Sequence, residues 1–244
     1  VSHAFAAQGD GIRVGYGKLN KPDDSAVDGF KTRTLLRGVR DFSGQEREDF
    51  FEWLLALRMM ASGTPLRRAT DNIGQYYSWR DADNRDAWGH TPGKKSSEQP
   101  LACRKSFHIL TTDGYWNGDA APTAGATNNV DASDGPEITG PGQASYQYKP
   151  AKPYQDELAG TLADVAMYYW NRDLRPDIEN RVPVTDPTEN PAFWQNMVNF
   201  TVALGMSGTL SYPDALQAIE SGTQSWPSPM VREDARRIDD MWHA

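Results

Sequence analysis

The order of the predicted strands and helices constrains this fold more than any other feature of the sequence. Alternating apolar residues predict one strand over residues 12–19 and a second over 30–40, and the turn residues between them indicate an antiparallel hairpin. Two helices, a strand, a helix, a further strand and two short helices follow. This order predicts an α/β fold: a three-layer open sheet with helices on both faces.

Helix signals are clearest directly after the hairpin. Ser43 and Glu46 have the spacing of a capping box, and the apolar helix that follows them is predicted to run to about Met60. Thr64 and Pro65 are typical of the next helix start, with Thr64 as the N-cap and Pro65 at the first helical position. We therefore expect two consecutive helices here.

The second half of the chain supplies the strands of the expected sheet. Residues 104–112 predict a strand that is buried on both faces, as in a parallel sheet, and residues 197–205 predict an alternating strand. Residues 117–153 contain almost no large aliphatic side chain, and a loop of this length is normally functional or mobile. Helices are predicted over 157–174, near 214–221 and near 232–242.

Composition excludes several classes of protein. The 244 residues carry a net charge of −8, which argues against a nucleic-acid partner and against attachment to anionic lipid by charge. No apolar stretch has the length of a spanning helix, so we expect no membrane insertion. The sequence has one cysteine, Cys103, which excludes an intrachain disulfide and is expected to be a half-exposed free thiol.

Two polar residues lie where an open α/β sheet normally binds its ligand. Asp113 directly follows the strand over 104–112, and Thr64 begins a helix. Their carboxylate and hydroxyl oxygens are hard donors suited to Mg²⁺, Mn²⁺ or Ca²⁺. The alternative is that Thr64 only caps its helix and Asp113 only forms a turn with Gly114.

Neighbouring residues allow two interpretations. Tyr115, Trp116 and Asn117 are candidates for the rim of a ligand surface, whereas Tyr115 and Trp116 equally suit packing beneath the 117–153 loop. His108 lies inside a predicted strand and is interpreted as a packed core histidine. The acidic residues Asp131, Asp134 and Glu137 lack the spacing of an EF-hand, and we interpret them as a solvated acidic loop.

Longer motifs resemble one family of proteins. The segments IRVGYGKLN, GTPL, FHILTTDGYWNG and MYYWNRDLRP occur in this order. They resemble a von Willebrand factor A domain, and more narrowly the N-terminal A-type domain of the PilC/PilY family of bacterial type IV pilus tip proteins. The resemblance covers nearly the whole chain. It implies a single domain over residues 1–244 with a long insertion at 117–153, followed by the remainder of a parent chain after Ala244.

This resemblance implies a metal-ion-dependent adhesion site that holds a divalent cation (Mg²⁺, Mn²⁺ or Ca²⁺). Thr64 matches its second motif and Asp113 its third, but the first motif, D-x-S-x-S, and the first central strand that carries it are absent. The segment 41–43 has a similar shape, but Ser43 is better explained by its capping box. The segment 131–133 lacks both the last serine and a preceding strand.

The functions implied by the resemblance are adhesion and interaction at a type IV pilus tip. They include pilus assembly, surface attachment and twitching motility, at the cell surface after export through the periplasm of a Gram-negative bacterium. Expected partners are pilin or minor pilins and a host or abiotic surface ligand. The alternative is a structural or force-bearing scaffold with a vestigial metal site. We expect no enzyme, because the sequence has neither a nucleophile elbow nor a P-loop, and no acid pair stands in a recognisable context.

Overall fold

The computed structural model describes residues 1–58, 62–118, 121–232 and 234–244. The chain divides into two compact units, the first formed by Val1–Ser62 with Trp79–Leu101 and the second by Gly63–Ser78 with Ala102–Ala244. The single domain over 1–244 stays a prediction. In chain order the first unit contains α1 (Ser2–Ala6), β1 (Arg13–Gly17), β2 (Ala26–Val27), β3 (Phe30–Lys31), β4 (Leu35–Asp41) and α2 (Gly44–Ala56).

The first unit contains the predicted hairpin. Strands β1 and β4 pair in antiparallel fashion, which confirms that prediction, and the short strands β2 and β3 form a small hairpin between them. The predicted strand over 30–40 is interrupted, because the Thr32 hydroxyl accepts hydrogen bonds from the N–H groups of Thr34 and Leu35. This local bond turns the chain between β3 and β4.

The predicted capping box at the start of α2 does not form. Ser43 occupies the N-cap position without a side-chain cap bond, and the Glu46 carboxylate instead accepts from Nε of Arg37 at 2.9 Å. A charged donor within reach of Glu46 makes a stronger hydrogen bond than a neutral backbone N–H. Helix α2 ends at Ala56 because Leu57 is extended; the predicted end at Met60 lies outside the described residues.

The second unit is built around one pair of parallel strands. Strands β5 and β8 pair in parallel, with Phe107 opposite Val198 and Thr112 opposite Ala203, which confirms the predicted parallel pairing. Helix α3 contacts β5, whereas α4 and α6 contact β8. The elements of this unit are α3 (Leu66–Ser78), β5 (Phe107–Thr112), β6 (Ile138–Thr139), β7 (Ser145–Tyr146), α4 (Leu162–Trp170), β8 (Val198–Ala203), α5 (Asp214–Glu220) and α6 (Arg236–His243).

The prediction that strand β5 is buried on both faces is wrong. Leu110 is 4% exposed, whereas Phe107 and Ile109, on the opposite face, are 49% and 56% exposed, and Phe200 of β8 is 53% exposed. Helices therefore cover one face of this strand pair. Within the described residues the strands form four two-stranded sheets, so the chain is a mixed α/β protein, and the three-layer sheet stays a prediction.

Helix α4 is shorter than the predicted helix over 157–174. Thr161 and Asp164 form a complete capping box, which begins the helix at Leu162. The helix packs closely against α3: a Cβ at Gly74 would lie 2.3 Å from the ring of Tyr169, so only glycine permits this contact. The two short C-terminal helices are close to their predicted positions, although α6 begins at Arg236, later than predicted.

The segment predicted as a long loop is packed over its described part. Ala126, Val130 and Ile138 are buried, and the hydroxyl of Tyr148 donates to the carbonyl oxygen of Asp131 at 2.7 Å. Short helical turns and strands β6 and β7 occur within this segment. Among the residues that the structure describes, no helix has both the length and the apolar character needed to cross a membrane.

Candidate functional site

The start of α3 and the segment after β5 lie side by side. The N–H of Thr64 donates to Oδ1 of Asn117 at 2.8 Å, and the N–H of Asn117 donates to the carbonyl oxygen of Thr64 at 2.8 Å. A Cβ at Gly63 would lie only 3.0 Å from Oδ1 of Asn117, so glycine permits this close approach. These two hydrogen bonds tie together two of the predicted site residues.

Asp113 lies in the turn that ends β5. The hydroxyl of Thr112 accepts from the N–H of Gly114 at 3.2 Å, and Asp113 itself is exposed. The hydroxyl oxygen of Thr64 would lie 3.7 Å from a Cβ placed at Gly114, so it is next to the same turn. We call this region the Thr64–Asp113 turn. Its role in binding a cation stays a prediction.

Trp116 lies beneath this turn and not at a rim. It is 2% exposed, and its indole N–H donates to Oδ2 of Asp240 at 2.8 Å. The guanidinium groups of Arg67 and Arg237 lie 4.2 and 4.1 Å from the ring centroid. Of the two interpretations of Trp116, packing within the fold is therefore the one that the structure shows. Tyr115 and Asn117 are half-buried.

The oxygens of the Thr64–Asp113 turn fit a divalent cation only in part. Octahedral Mg²⁺ requires about six oxygen ligands, and Thr64 and Asp113 supply two. Oδ1 of Asn117 already accepts a backbone hydrogen bond. Asp41, in the acidic segment that resembles a first motif, belongs to the first unit and forms an ion pair with Arg13 at 2.6 Å.

A second group of ligand-type side chains was not predicted. Asp131, Asp156 and His243 each place one ligand atom within 4.8 Å of the others, and we call this group the buried cluster. Asp131 is 1% exposed and Asp156 is 5% exposed, so the interpretation of Asp131 as part of a solvated loop is wrong. Two hydrogen bonds hold Asp131 in the interior. Its Oδ1 accepts from the backbone N–H of Asp156, and its carbonyl oxygen accepts from the hydroxyl of Tyr148.

Burial dominates the electrostatics of this cluster. It raises the pKa of Asp131 to about 8 and the pKa of Asp156 to about 6, and it lowers the pKa of His243 to about 4. The charged carboxylates and the charged imidazole are each disfavoured because little water reaches them. Asp134, which lies close to Asp131 in the sequence, is by contrast exposed and paired with Lys149.

Two single residues, His108 and Cys103, were also interpreted from the sequence. His108 is half-buried, and its Nδ1 lies 2.7 Å from Oδ1 of Asn199 on the neighbouring strand, which confirms its interpretation as a packed histidine. Burial lowers the pKa of His108 to about 4. Cys103 is an exposed free thiol, more exposed than predicted.

Comparison with known proteins gives one group of relatives. The chain is 34% identical, over an alignment of 263 positions, to the type IV pilus biogenesis factor PilY1 of Pseudomonas aeruginosa strain PAK. The alignment covers 99% of this chain and 21% of that protein. The PilY1 proteins of strains PAO1 and UCBPP-PA14 are also 34% identical, over 84% and 99% of this chain.

The chain spans about a fifth of the length of these relatives. No family model matches it, and no solved structure matches it. Similarity over almost the whole chain nevertheless supports its relationship to the PilY family of type IV pilus biogenesis factors.

Proposed function

We propose that this chain is a non-enzymatic adhesion and interaction module of a type IV pilus tip protein. The observation that carries the proposal is the 34% identity to PilY1 pilus biogenesis factors over 99% of the chain. In this proposal the parent protein acts in pilus assembly, surface attachment and twitching motility. Its partners are pilin or minor pilins and a surface ligand, and it reaches the cell surface through the periplasm.

The finer part of the proposal is a von Willebrand factor A-type domain whose Thr64–Asp113 turn presents a Mg²⁺, Mn²⁺ or Ca²⁺ ion. The exposure of Asp113 and the position of the Thr64 hydroxyl beside the same turn support it. In this proposal Thr64 and Asp113 hold one side of the ion. Oxygens of a first motif elsewhere in the parent protein and of a bound ligand complete its coordination.

The alternative is a scaffold that transmits force or supports assembly, with a vestigial metal site. The observation in its favour is that two hydrogen bonds join Asn117 and Thr64, one to the side-chain Oδ1 of Asn117 and one between backbone groups. These bonds hold the turn in place without any cation. A scaffold depends on the packed residue Trp116 below the turn, whereas adhesion depends on Asp113 at its surface.

The two candidates are separated by replacing residues in the full-length parent protein of the bacterium that produces it. The variants are Asp113→Ala and, as the matched control, Asp24→Ala, which removes an exposed carboxylate in the first unit. Pilus number, attachment to a surface and the twitching zone are measured for each. For an adhesion module, Asp113→Ala reduces attachment at least tenfold with normal pilus number, and the control matches the parent.

The other outcomes are equally decisive. Normal attachment by Asp113→Ala, together with loss of pili when residues 1–244 are deleted from the parent protein, supports the scaffold. Deletion of residues 1–244 from the parent protein with unchanged pili, attachment and twitching contradicts both proposals.

A further inference from the structure

Three distant parts of the second unit meet at the buried cluster. Asp131 comes from the packed 117–153 segment, Asp156 precedes α4, and His243 is the last residue of α6. The side chains of Asp131, Asp156 and His243 are 1%, 5% and 4% exposed. A ligand held here would join these three segments to one another.

Each of the two carboxylates accepts a backbone hydrogen bond with one oxygen and turns its other oxygen towards the imidazole of His243. Oδ1 of Asp131 accepts from the N–H of Asp156 at 3.2 Å, and Oδ1 of Asp156 accepts from the N–H of Leu158 at 2.6 Å. The remaining oxygens face the imidazole: Oδ2 of Asp131 lies 3.7 Å from Nε2 of His243, and Oδ2 of Asp156 lies 3.6 Å from Nδ1. These separations are too long for hydrogen bonds.

The imidazole is held in place independently of the carboxylates. The ring of Trp226 stacks on it at a centroid distance of 4.2 Å and an interplanar angle of 9°. The indole N–H of Trp226 in turn donates to the carbonyl oxygen of Pro153 at 2.7 Å. Nε2 of His243 lies 2.7 Å from the carbonyl oxygen of Tyr154, which only accepts, so Nε2 carries the proton.

One polar atom of this arrangement has no hydrogen-bond partner. Oδ2 of Asp131 is fully buried and makes no hydrogen bond within the described part of the chain. With the proton on Nε2, a neutral imidazole also presents only a lone pair at Nδ1, which faces a carboxylate oxygen of Asp156. Buried acceptors that face one another are costly unless a proton or a cation lies between them, and a bound metal ion takes the place of that proton.

We propose that Asp131, Asp156 and His243 bind a divalent transition-metal ion of the Zn²⁺ class. A neutral imidazole nitrogen with two carboxylate oxygens is a ligand set that suits zinc, whereas Ca²⁺ and Mg²⁺ take oxygen ligands alone. The ion ties the 117–153 segment, the start of α4 and the end of α6 together. This site is separate from the Thr64–Asp113 turn and does not depend on the proposed adhesion.

Zinc titration of the full 244-residue chain, after removal of metals with a chelator, tests the proposal. Zn²⁺ affinity is measured by calorimetry and bound zinc by elemental analysis, with Ca²⁺ as the comparison ion. We expect one zinc ion per chain, an affinity at least tenfold higher for Zn²⁺ than for Ca²⁺, and at least tenfold weaker Zn²⁺ binding in Asp131→Asn and His243→Gln. The matched control is His90→Gln, because His90 and Glu98 form an exposed pair at 2.7 Å that is able to bind zinc adventitiously.

The proposal is overturned if the chain binds no zinc, or if binding is lost in His90→Gln and retained in His243→Gln. If either cluster variant does not fold, Co²⁺ is added to the unsubstituted chain and its visible absorption is recorded. Absorption bands of nitrogen- and oxygen-ligated Co²⁺ that one equivalent of Zn²⁺ abolishes, in the parent and in His90→Gln alike, support the site. Absence of these bands overturns it.

Discussion

The Thr64–Asp113 turn and the buried cluster both gather ligand-type side chains in the second unit, and they differ in burial and in completeness. Asp113 is exposed, and its neighbours Thr64 and Asn117 are held by two hydrogen bonds that need no ion. Asp131 is buried, and one of its oxygens has no hydrogen-bond partner among the residues that the structure describes. An exposed, incomplete set suits an ion that an outside ligand completes. A buried set suits an ion that stabilises the fold.

The largest expected effect comes from Trp116, which connects the two regions. It lies beneath the Thr64–Asp113 turn and donates to Asp240, on the same helix as His243. Trp116→Ala removes this bond and the contacts with Arg67 and Arg237, and we expect it to lower the free energy of unfolding by about 3–5 kcal/mol. Denaturant unfolding checks this value. A loss below about 1 kcal/mol would mean that the turn and α6 are not joined through this residue.

Zinc distinguishes the buried cluster from the Thr64–Asp113 turn, because we expect only the buried cluster to bind it. At zinc concentrations 100 times the dissociation constant, binding stabilises the folded chain by about 2.7 kcal/mol. For a chain of this size we expect a rise in Tm of roughly 5–10 °C, which His243→Gln abolishes and His90→Gln retains. Thermal unfolding by circular dichroism measures it. An equal rise in Tm in the parent, His243→Gln and His90→Gln would mean that the ion binds at neither of these histidines.

Much of the fold follows from local patterns, and the buried cluster does not. The hairpin of β1 and β4 follows from its short strands and turn residues, β8 from alternation, and β5 from a short apolar run. The Thr64–Asp113 turn follows from residues next to a strand and a helix start. Asp131, Asp156 and His243 share no periodicity, because three separate segments carry them. Their position depends on tertiary contacts such as the bond from Tyr148 to Asp131.

Two other differences between the predicted and the observed structure also arise from contacts between distant residues. Glu46 matches the capping-box spacing, but Arg37, which lies on another element, binds it. The 117–153 segment has few aliphatic residues and was therefore interpreted as a loop, whereas hydrogen-bonded polar groups and aromatic rings pack much of it. Sequence patterns record the local preference of a residue, and the competing long-range partner becomes visible only in the structure.

The pH dependence of stability tests the environment of His108, the half-buried histidine of β5. Burial lowers the pKa of His108 to about 4, so between pH 4 and 6.5 the unfolded chain binds a proton that the folded chain does not. The His108 contribution to stability therefore falls as the pH falls, by about 2 kcal/mol between pH 7 and pH 5. Urea unfolding of the parent and of His108→Gln at both pH values measures the difference.

Nδ1 of His108 is paired with Oδ1 of Asn199. We therefore expect zinc to leave the contribution of His108 to stability unchanged. A zinc-dependent difference between the parent and His108→Gln would show that this strand histidine also binds the ion, and would contradict the assignment to His243.

The smallest expected effect concerns the turn itself. Asn117→Ala removes the acceptor of the Thr64 N–H and should lower the free energy of unfolding by about 1 kcal/mol. Asp113→Ala, at an exposed position, should change it by less than about 0.5 kcal/mol. Chemical unfolding of both variants compares them. A larger loss for Asp113 than for Asn117 would mean that Asp113 supports the fold and is not held ready for a ligand.

The most direct test of the account is a crystal structure of the zinc-loaded chain with data collected at the zinc absorption edge. We expect one strong anomalous peak within bonding distance of Asp131, Asp156 and His243, and no zinc peak at the Thr64–Asp113 turn. A peak only at His90 and Glu98, or no peak in the buried cluster at saturating zinc, would contradict it.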